Sequence, residues 1–342
     1  MVLLYRAAAR GSQQAETRKP EMQLATWNLA KPSCGFGNGS NPRLRACRNA
    51  IAGVAILCAA LVAVPTAACR AQSSQARIMG MAHMAYYVSD LKKARDYYEG
   101  WLGFEEAFVL RNADGSEHVV FIKINDRQYI ELYNETPKNH GFIHDAGFET
   151  NDAKGMRDHL AAVGVMVPDQ VSKDASGNLS FDILDPSGFT IQIVQYLPNS
   201  MTGRAKGKFM PASRISDHID HIGLLVNDRA ESWKFYGDAF GFTKEGDGSK
   251  MAVPDSPDRF ELGVEKKTPI AEARFHIKDH ICLSNPDVPK MTAELRAKPQ
   301  ISEFPEAIAD THQLDNGKNV VEIYDLDKNR VEVMEPAKAS GN

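Results

Sequence analysis

A repeat inside the sequence constrains the fold of this chain more than any other feature. The segment HMAYYVSD, residues 83–90, returns as HIGLLVND, residues 221–228. The spacing between the copies is 138 positions (221 minus 83), and it stays constant as far as Phe104 and Phe242. The residue pairs shared at this spacing are His83/His221, Val88/Val226, Asp90/Asp228, Tyr98/Tyr236, Gly103/Gly241 and Phe104/Phe242. A duplication without gaps predicts two copies of one domain.

Each copy begins with the pattern of a strand followed by a helix. In the second copy, every other residue after His221 is an apolar residue of one face, and this period of two predicts a strand with one side buried. His221 is therefore expected to point away from the buried side. Asp228 is expected to cap a helix over residues 229–240, and Gly241 is expected to end it.

The remaining segments extend both copies into the same order of elements. The first unit reads as a strand, a helix and three strands, and this βαβββ order then starts again. Its predicted strands cover residues 83–88, 104–111, 118–124, 128–133, 145–150, 179–184 and 190–195, with helices over 91–102 and 153–163. The second unit repeats the plan, with strands over 221–226, 259–264, 279–284, 319–324 and 330–334 and helices over 229–240 and 288–297. The sequence therefore predicts an α+β fold.

The domain boundaries follow from the repeat and from composition. Residues 77–197 form the first predicted domain and residues 217–336 the second. Residues 198–216 are rich in Pro, Gly, Ser and Lys, which predicts a linker, and residues 337–342 form a tail. The chain of 342 residues is long enough for two domains with cores of their own.

Residues 1–76 are predicted to be an N-terminal extension that contains an export signal. A basic region at 43–48 precedes an apolar region at 50–64 and a run of small residues up to Cys69. This order is that of a signal peptide, and the apolar region is shorter than the ~20 residues of a spanning helix. The mature chain is expected to be periplasmic or extracellular, without a membrane span. Cys69 also fits a lipid-anchoring site, and an uncleaved anchor is a further alternative.

Charge and cysteine content narrow the expected partners. The formal net charge of −4 gives no basic surface of the kind that binds nucleic acid. Signal cleavage would leave Cys282 and, depending on the cleavage position, Cys69, so no disulfide framework is expected. The expected partner is a small-molecule substrate, bound by a monomer or a homodimer.

Four predicted strands of the second domain each carry one residue that can bind a metal ion. His221, Glu261, His280 and Glu332 all lie opposite in parity to apolar neighbours, so they are expected on one face of the sheet. Two imidazoles and two carboxylates suit a divalent first-row cation, with two positions left for water or substrate. The alternative is four unrelated solvent-exposed residues, but four in register favour the metal site.

Three further residues are expected to line the pocket on the same face. Glu322 and Tyr324 share the parity of Glu332 on a neighbouring strand, and Cys282 lies two residues after His280. The alternatives are that Glu322 and Tyr324 are ordinary exposed strand residues and that Cys282 is inert packing.

The motifs HIGLLVND, FELG, HICLSNPD and DLDKNRVEV resemble the vicinal oxygen chelate superfamily. Its members include glyoxalase I, bleomycin and fosfomycin resistance proteins, methylmalonyl-CoA epimerase and extradiol dioxygenases. The resemblance covers nearly all of residues 80–336 and implies tandem domains, each a pair of βαβββ modules that form a curved mixed sheet. It also implies one divalent ion (Ni, Co, Mn, Zn or Fe) held at first- and last-strand positions. His221, Glu261, His280 and Glu332 fall on those positions in the order that resembles bacterial-type glyoxalase I.

The first domain departs from this pattern. His83 and Glu131 match the first two ligand positions, but Asp145 stands where a histidine is expected, and Gln192 replaces the final glutamate. His144 is one residue out of place and has the wrong parity. We expect a degenerate site that is kept for packing, and a weak or altered metal site is the alternative.

The resemblance implies chemistry on a substrate with adjacent oxygen atoms. A cation with two open positions can chelate those oxygens, polarise a carbonyl and stabilise an enediolate, and Glu332 or Glu261 could move the proton. This describes a glyoxalase-type lyase, an isomerase or an epimerase. The export signal disfavours a glutathione-dependent glyoxalase, because cytosolic thiol is scarce outside the membrane.

Two alternatives remain open. Fe(II) held by His221, His280 and Glu332 alone would form the facial triad of a ring-cleaving extradiol dioxygenase, although Glu261 would then occupy an open position. A non-catalytic protein that sequesters a small molecule is the other alternative, and the four metal positions argue against it.

Overall fold

The computed structural model describes residues 75–135, 143–264 and 279–336. They form two eight-stranded sheets. The strands of the first sheet are β1 (Ile78–Val88), β2 (Glu105–Arg111), β3 (Glu117–Lys123), β4 (Tyr129–Asn134), β5 (Ile143–Thr150), β6 (Ser172–Lys173), β7 (Leu179–Leu184) and β8 (Thr190–Gln195). Those of the second are β9 (Ile219–Val226), β10 (Thr243–Glu245), β11 (Lys250–Ala252), β12 (Arg259–Val264), β13 (His280–Ser284), β14 (His312–Gln313), β15 (Asn319–Tyr324) and β16 (Arg330–Met334).

The two sheets have the same topology. The strand order is β2-β3-β4-β1-β5-β8-β7-β6 in the first and β10-β11-β12-β9-β13-β16-β15-β14 in the second. In both, the two central strands are antiparallel, and each of them pairs in parallel with its outer neighbour. The predicted α+β fold of tandem domains with curled mixed sheets is confirmed, and β1 and β5 of the first domain are equivalent to β9 and β13 of the second.

Short helices cover one face of each sheet. The α-helices are α1 (Leu91–Arg95), α2 (Ala153–Ala162), α3 (Met201–Arg204), α4 (Arg229–Phe240) and α5 (Val288–Ala297). Asp228 caps α4, because its carboxylate accepts hydrogen bonds from the first-turn backbone N–H groups, and Gly241 ends the helix at a φ of 73°. These features were predicted. The matching helix of the first domain differs from its prediction, because α1 continues as a π-helix over Asp96–Trp101.

The two domains share one apolar core. A single cluster of buried side chains contains residues of both repeats, and Trp101 of the first domain packs at 5.5 Å from Phe304 of the second, between ring centres. Two buried hydrogen bonds also join the domains: the Tyr98 hydroxyl donates to Asp325 at 3.2 Å, and the Tyr236 hydroxyl donates to Asp185 at 3.1 Å. Because Tyr98 and Tyr236 are equivalent in the repeat, the domain interface follows the duplication.

The predicted linker is folded onto its neighbours. It contains α3, and the Ala205 carbonyl accepts a hydrogen bond of 2.5 Å from Lys123 of the first domain. At its other end, the Ile215 carbonyl accepts from Asn285 of the second domain at 2.6 Å. The predicted export signal, Cys69 and the tail 337–342 lie outside the described residues. No helix within the described residues is long and apolar enough to cross a membrane.

Candidate metal centre

The four predicted ligands of the second domain come from four adjacent strands. Strand β12 carries Glu261, β9 carries His221, β13 carries His280 and β16 carries Glu332. The register places Gly223 of β9 beside both Glu261 and His280, and Cys282 of β13 beside both His221 and Glu332. Since side chains two residues apart on a strand share a face, all four project from the same side of the sheet.

The structure brings these side chains together. The Nε2 atom of His221 lies 3.3 Å from Nε2 of His280, 3.3 Å from Oε2 of Glu261 and 3.7 Å from Oε1 of Glu332. Ligand atoms of His221, Glu261 and His280 all lie within 4.8 Å of one another. We call these four residues the metal-ligand cluster.

Burial and charge set the protonation of the two imidazoles. Burial and the nearby Arg330 guanidinium lower the pKa of His280 to about 4, so its ring is neutral at pH 7. Burial also lowers the pKa of His221, but hydrogen bonds with Asp220 and Glu261 outweigh it and raise the value. Burial raises the pKa of Glu261, and the hydrogen bond with His221 reverses the shift, so the carboxylate is ionised.

Asp220 orients the first imidazole. Its Oδ1 lies 3.0 Å from Nδ1 of His221, so Nδ1–H donates to Asp220 and the ring is held with Nε2 facing the cluster. The sequence did not point to Asp220, because strict alternation puts it on the opposite face from His221. The pairing of β9 with β13 shifts register beside Asp220, and this bulge lets adjacent residues reach one another.

Two basic side chains flank the cluster, and the sequence analysis did not identify either. Lys250 lies 3.2 Å from Oε2 of Glu261. The Arg330 guanidinium donates to Oε2 of Glu332 at 2.9 Å and to Oε1 of Glu322 at 2.6 Å. Arg330 lies two residues before Glu332 on the same strand, so parity alone could have placed it on the face of the cluster. Lys250 is the first residue of β11, in a stretch of the sequence, residues 246–258, where no motif marks it.

The predicted pocket residues differ in their surroundings. Tyr324 donates its hydroxyl proton to Glu322 at 2.7 Å, so these two residues belong to the Arg330 network. Cys282 is fully buried, and its sulfur lies within 4.8 Å of ligand atoms of Asp220 and His221. Burial raises the pKa of the Cys282 thiol, so it stays protonated and is a poor ligand.

The charges of this region fit one divalent cation. Among the described side chains around the cluster, two carry a positive charge, Lys250 and Arg330, and four are carboxylates. The four are Asp220, Glu261, Glu322 and Glu332. With both imidazoles neutral, as metal binding requires, this leaves two negative charges in excess at a partly buried site, where unpaired charge is costly. A divalent ion bound by the metal-ligand cluster would balance them, and imidazole with carboxylate is a donor set for first-row metals.

The equivalent residues of the first domain form a different arrangement. His83 is buried between two carboxylates, with Nδ1 3.2 Å from Oε1 of Glu131 and Nε2 2.8 Å from Oδ1 of Asp145. Burial lowers the pKa of His83, but Glu131 and Asp145 outweigh it and raise the value to about 9. Both ring nitrogens are therefore donors, and neither has a lone pair free for a metal. His144 bonds the second oxygen of Asp145, and Gln192 donates to Asp182 at 3.3 Å.

Aromatic side chains cover this first-domain cluster. Tyr133 donates to Glu131 at 3.2 Å and stacks on His144 with ring centres 4.0 Å apart. Phe121 pairs with Glu131 across the strands, in the place where Lys250 pairs with Glu261 in the second domain. The first domain thus has a version of the site in which carboxylates occupy both nitrogens of His83 and aromatic side chains lie beside them.

Comparisons with known proteins agree with this architecture. The family model of the Glyoxalase/Bleomycin resistance protein/Dioxygenase superfamily matches residues 80–193 and 218–333, more than half of the chain. No curated protein is a significant sequence match.

Several solved structures share the fold at low sequence identity. The 2,3-dioxygenase LapB from Pseudomonas sp. KL28 is 16% identical with a TM-score of 0.57, over 78% of this chain and 94% of that one. The Mn(II)-bound glyoxalase from Novosphingobium aromaticivorans is 15% identical with a TM-score of 0.57, over 77% and 84%. Homoprotocatechuate 2,3-dioxygenase from Brevibacterium fuscum is 15% identical with a TM-score of 0.55, over 78% and 83%. Together, the duplicated sheet and the family match show that this chain belongs to the glyoxalase, bleomycin resistance protein and dioxygenase superfamily.

Proposed function

We propose that this protein is a divalent-metal-dependent enzyme that acts, in its second domain, on a small substrate with two adjacent oxygen atoms. The reaction class is that of a lyase, isomerase or epimerase. The observation that carries this proposal is the position of Glu261, whose carboxylate lies 3.3 Å from Nε2 of His221. It adds a fourth protein donor to His221, His280 and Glu332.

The number of donors decides the class of reaction. A first-row cation with six positions keeps two of them open when four side chains bind it. Two positions suffice for a substrate that chelates through adjacent oxygens, but they leave no place for dioxygen beside it. A cation held here would polarise a substrate carbonyl and acidify the neighbouring C–H bond.

The two carboxylates have different freedom to move a proton. Arg330 holds Glu332 by its outer oxygen and is itself held by Glu322. The side chain of Glu261 is 31% exposed and pairs with Lys250, which is also partly exposed. We therefore assign the proton transfer to Glu261, and Glu332 is the fixed ligand.

An extradiol dioxygenase is the second candidate, and the exposure of Glu261 favours it. If Lys250 draws Glu261 away from the cluster, His221, His280 and Glu332 remain as two histidines and one carboxylate. That set leaves three open positions, which accommodate a chelating diol and dioxygen.

Metal analysis of the purified protein tests the proposal. Plasma mass spectrometry is expected to find about one Ni, Co, Mn or Zn per chain, lost in His280→Ala and kept in the first-domain control Gln192→Ala. Turnover of 2-oxoaldehydes, 2-oxo acids or thioesters would then be expected, and Glu261→Ala would abolish it. Iron, together with catechol cleavage that survives Glu261→Ala, would establish the dioxygenase instead. No metal after reconstitution would contradict both and leave a binding protein.

We also propose that the protein is exported, on the basis of the signal-like residues 43–69. Cell fractionation and the N-terminal sequence of the mature chain test this. Retention of the intact N terminus in the cytosol would contradict it, and loss of membrane association in Cys69→Ser would identify a lipid anchor.

A further inference from the structure

One glycine lies beneath the His280 ring. Gly223 of β9 is the cross-strand partner of His280 on β13. A Cβ atom added at Gly223 would lie 2.2 Å from Cε1 of His280 and within 2.8 Å of both ring nitrogens. The backbone of Gly223 is not in the left-handed region, so its conformation does not require glycine. The space that a side chain would take is filled by the imidazole.

The first domain has the same arrangement on the opposite strand. Gly147 of β5 is the cross-strand partner of His83 on β1, and a Cβ at Gly147 would lie 2.2 Å from Cε1 of His83. Each sheet therefore lays one imidazole across its central strand pair, and each has a glycine under it. In the first domain this imidazole is His83 of β1, the first strand of the pair. In the second domain it is His280 of β13, the second strand of the pair.

The repeat makes the exchanged positions comparable. In the first domain His83 faces Gly147, and Ala85 faces Asp145. In the second domain His221 faces Cys282, and Gly223 faces His280. Gly147 is therefore equivalent to Cys282, Ala85 to Gly223, and Asp145 to His280. The glycine lies on the second strand of the pair in the first domain and on the first strand in the second domain.

The consequence for the first imidazole is large. Over Gly147, His83 lies flat and places its two nitrogens on Asp145 and Glu131. In the second domain Cys282 stands at the position equivalent to Gly147, so a side chain is present where the His83 ring lies in the first domain. His221 presents Nε2 to His280 and Glu261 instead.

We propose that Gly223 and Cys282 are positioning residues that hold the two imidazoles of the second domain in a metal-binding arrangement. Gly223 makes room for the His280 ring. Cys282 keeps the His221 ring from lying across the strand pair as His83 does, so that Nε2 of His221 points to the cluster. The inference rests on the proposed metal site, but its steric part concerns this chain alone and can be tested without metal.

Thermal unfolding of the metal-free protein tests the steric part. Gly223→Ala is expected to lower the melting temperature by several degrees, because the new methyl group overlaps the His280 ring. In a His280→Ala background the same substitution is expected to have little effect, since the ring is gone. Gly147→Ala with and without His83→Ala is the matched pair in the first domain. Equal destabilisation in both backgrounds would overturn the inference.

Metal titration tests the positioning part. Gly223→Ala is expected to weaken Zn²⁺ or Co²⁺ binding about 10- to 100-fold, the range seen when support of a ligand is lost. Ala85→Gly, the equivalent exchange in the first domain, is expected to leave binding unchanged. Unchanged affinity in Gly223→Ala would overturn the positioning role.

Two substitutions of Cys282 distinguish a steric role of its side chain from metal binding by its sulfur. Cys282→Ala keeps the Cβ atom, so it is expected to retain the metal affinity and the visible absorption spectrum of the Co²⁺ protein. Cys282→Gly removes the obstacle to His221, so it is expected to weaken binding and change the spectrum. Loss in both variants would mean that the thiol is a ligand and would overturn the steric role. If the wild type binds no metal, the proposed function fails while the unfolding experiment still decides the steric part.

Discussion

The direction in which each imidazole presents its nitrogens decides what the second-domain site can bind. Asp220 accepts a hydrogen bond from Nδ1–H of His221, and Nε2 of that ring faces Glu261 and His280. In the first domain both nitrogens of His83 are engaged by carboxylates. The same residue type would thus act as a ligand in one domain, whereas it is a buried cation in the other.

The ligand assignment predicts opposite effects of two substitutions on equivalent strands. Glu332→Ala is expected to abolish metal binding and activity, because it removes a donor and leaves Arg330 beside the cluster with Glu322 as its carboxylate partner. Gln192→Ala is expected to retain most of both, because Gln192 contacts Asp182 rather than a ligand cluster. Metal content and turnover of the two variants check this. If Gln192→Ala lost metal or activity, the functional site would lie in the first domain and the assignment to the second domain would be wrong.

The hydrogen bond from His221 to Asp220 predicts a graded series. Asp220→Ala is expected to lower metal affinity about 10- to 100-fold, because it frees the ring to change tautomer. Asp220→Asn keeps an acceptor oxygen and is expected to lose less. Competitive titration with a chromogenic chelator measures the series, and equal affinities in all three proteins would show that Asp220 does not orient the ring.

The buried His83 predicts a decline in stability at alkaline pH. Its pKa is raised from 6.5 to about 9 in the folded protein, because the pull of Glu131, Asp145 and Asp182 outweighs burial and the repulsion of His144. The stabilisation is therefore complete below pH 6.5 and is lost as pH rises through 9. Between pH ~7.5 and ~9 the loss is about 1.5 kcal/mol.

Urea unfolding across that pH range measures the effect. His83→Gln is the control, since it cannot titrate and is expected to show a nearly flat profile. A wild-type profile as flat as that of the variant would contradict a charged His83. The pKa of Glu131, which burial raises to about 7, acts below this pH window and does not obscure it.

At the level of strands, the site depends on neighbours that are distant in the chain. Strands β12, β9, β13 and β16 lie side by side in that order, although β9 and β16 are separated by most of the domain sequence. The antiparallel pairing of β9 with β13 sets Gly223 under His280, and the bulge in this pair brings Asp220 to His221. Register therefore decides both the position and the protonation of the ligands.

Strand equivalence predicts that a metal site can be rebuilt in the first domain. The combined exchange Ala85→Gly, Asp145→His, Gly147→Cys and Gln192→Glu installs the second-domain residues at their equivalent positions. We expect metal content to rise from about one to about two ions per chain. Plasma mass spectrometry measures it, the same exchange with His83→Ala is the control, and an unchanged metal content in a folded variant would contradict the strand equivalence.

For the whole molecule, the shared core joins the two domains into one structure. The paired hydrogen bonds Tyr98–Asp325 and Tyr236–Asp185 cross the interface at positions equivalent in the repeat. Tyr86 extends this coupling to the candidate site, because its hydroxyl bridges the backbones of Ile281 and Arg330 on β13 and β16. The first domain thus supports the strands that carry His280 and Glu332.

This interface predicts a stability effect that crosses domains. Tyr98→Phe removes a buried donor and is expected to cost about 1 kcal/mol, with unfolding still in one transition. Urea unfolding followed by circular dichroism and by metal release checks this, and the two signals are expected to shift together. The control is Tyr324→Phe, at a half-buried tyrosine whose hydroxyl donates to Glu322 within the second domain. A shift of the circular dichroism signal alone would mean that the domains unfold separately.

The sequence by itself determined the duplication, the strand and helix order, and the four predicted ligands. These features are local: a strand repeats every two residues, a cap precedes its helix by one residue, and a repeat is visible at a constant spacing. Parity alone places His221, Glu261, His280 and Glu332 on one face of the sheet. The substitutions at Asp145 and Gln192 already marked the first domain as different.

Only the tertiary structure decided how the two imidazoles lie and what holds them. The contact of His280 with Gly223, the contact of His83 with Gly147 and the bond from Asp220 to His221 depend on register, bulges and ring packing. The first two join residues about 60 positions apart, and the third needs a local departure from alternation. No periodic pattern in the sequence encodes such contacts, because they arise where strands meet, and it is there that the two copies of this domain differ.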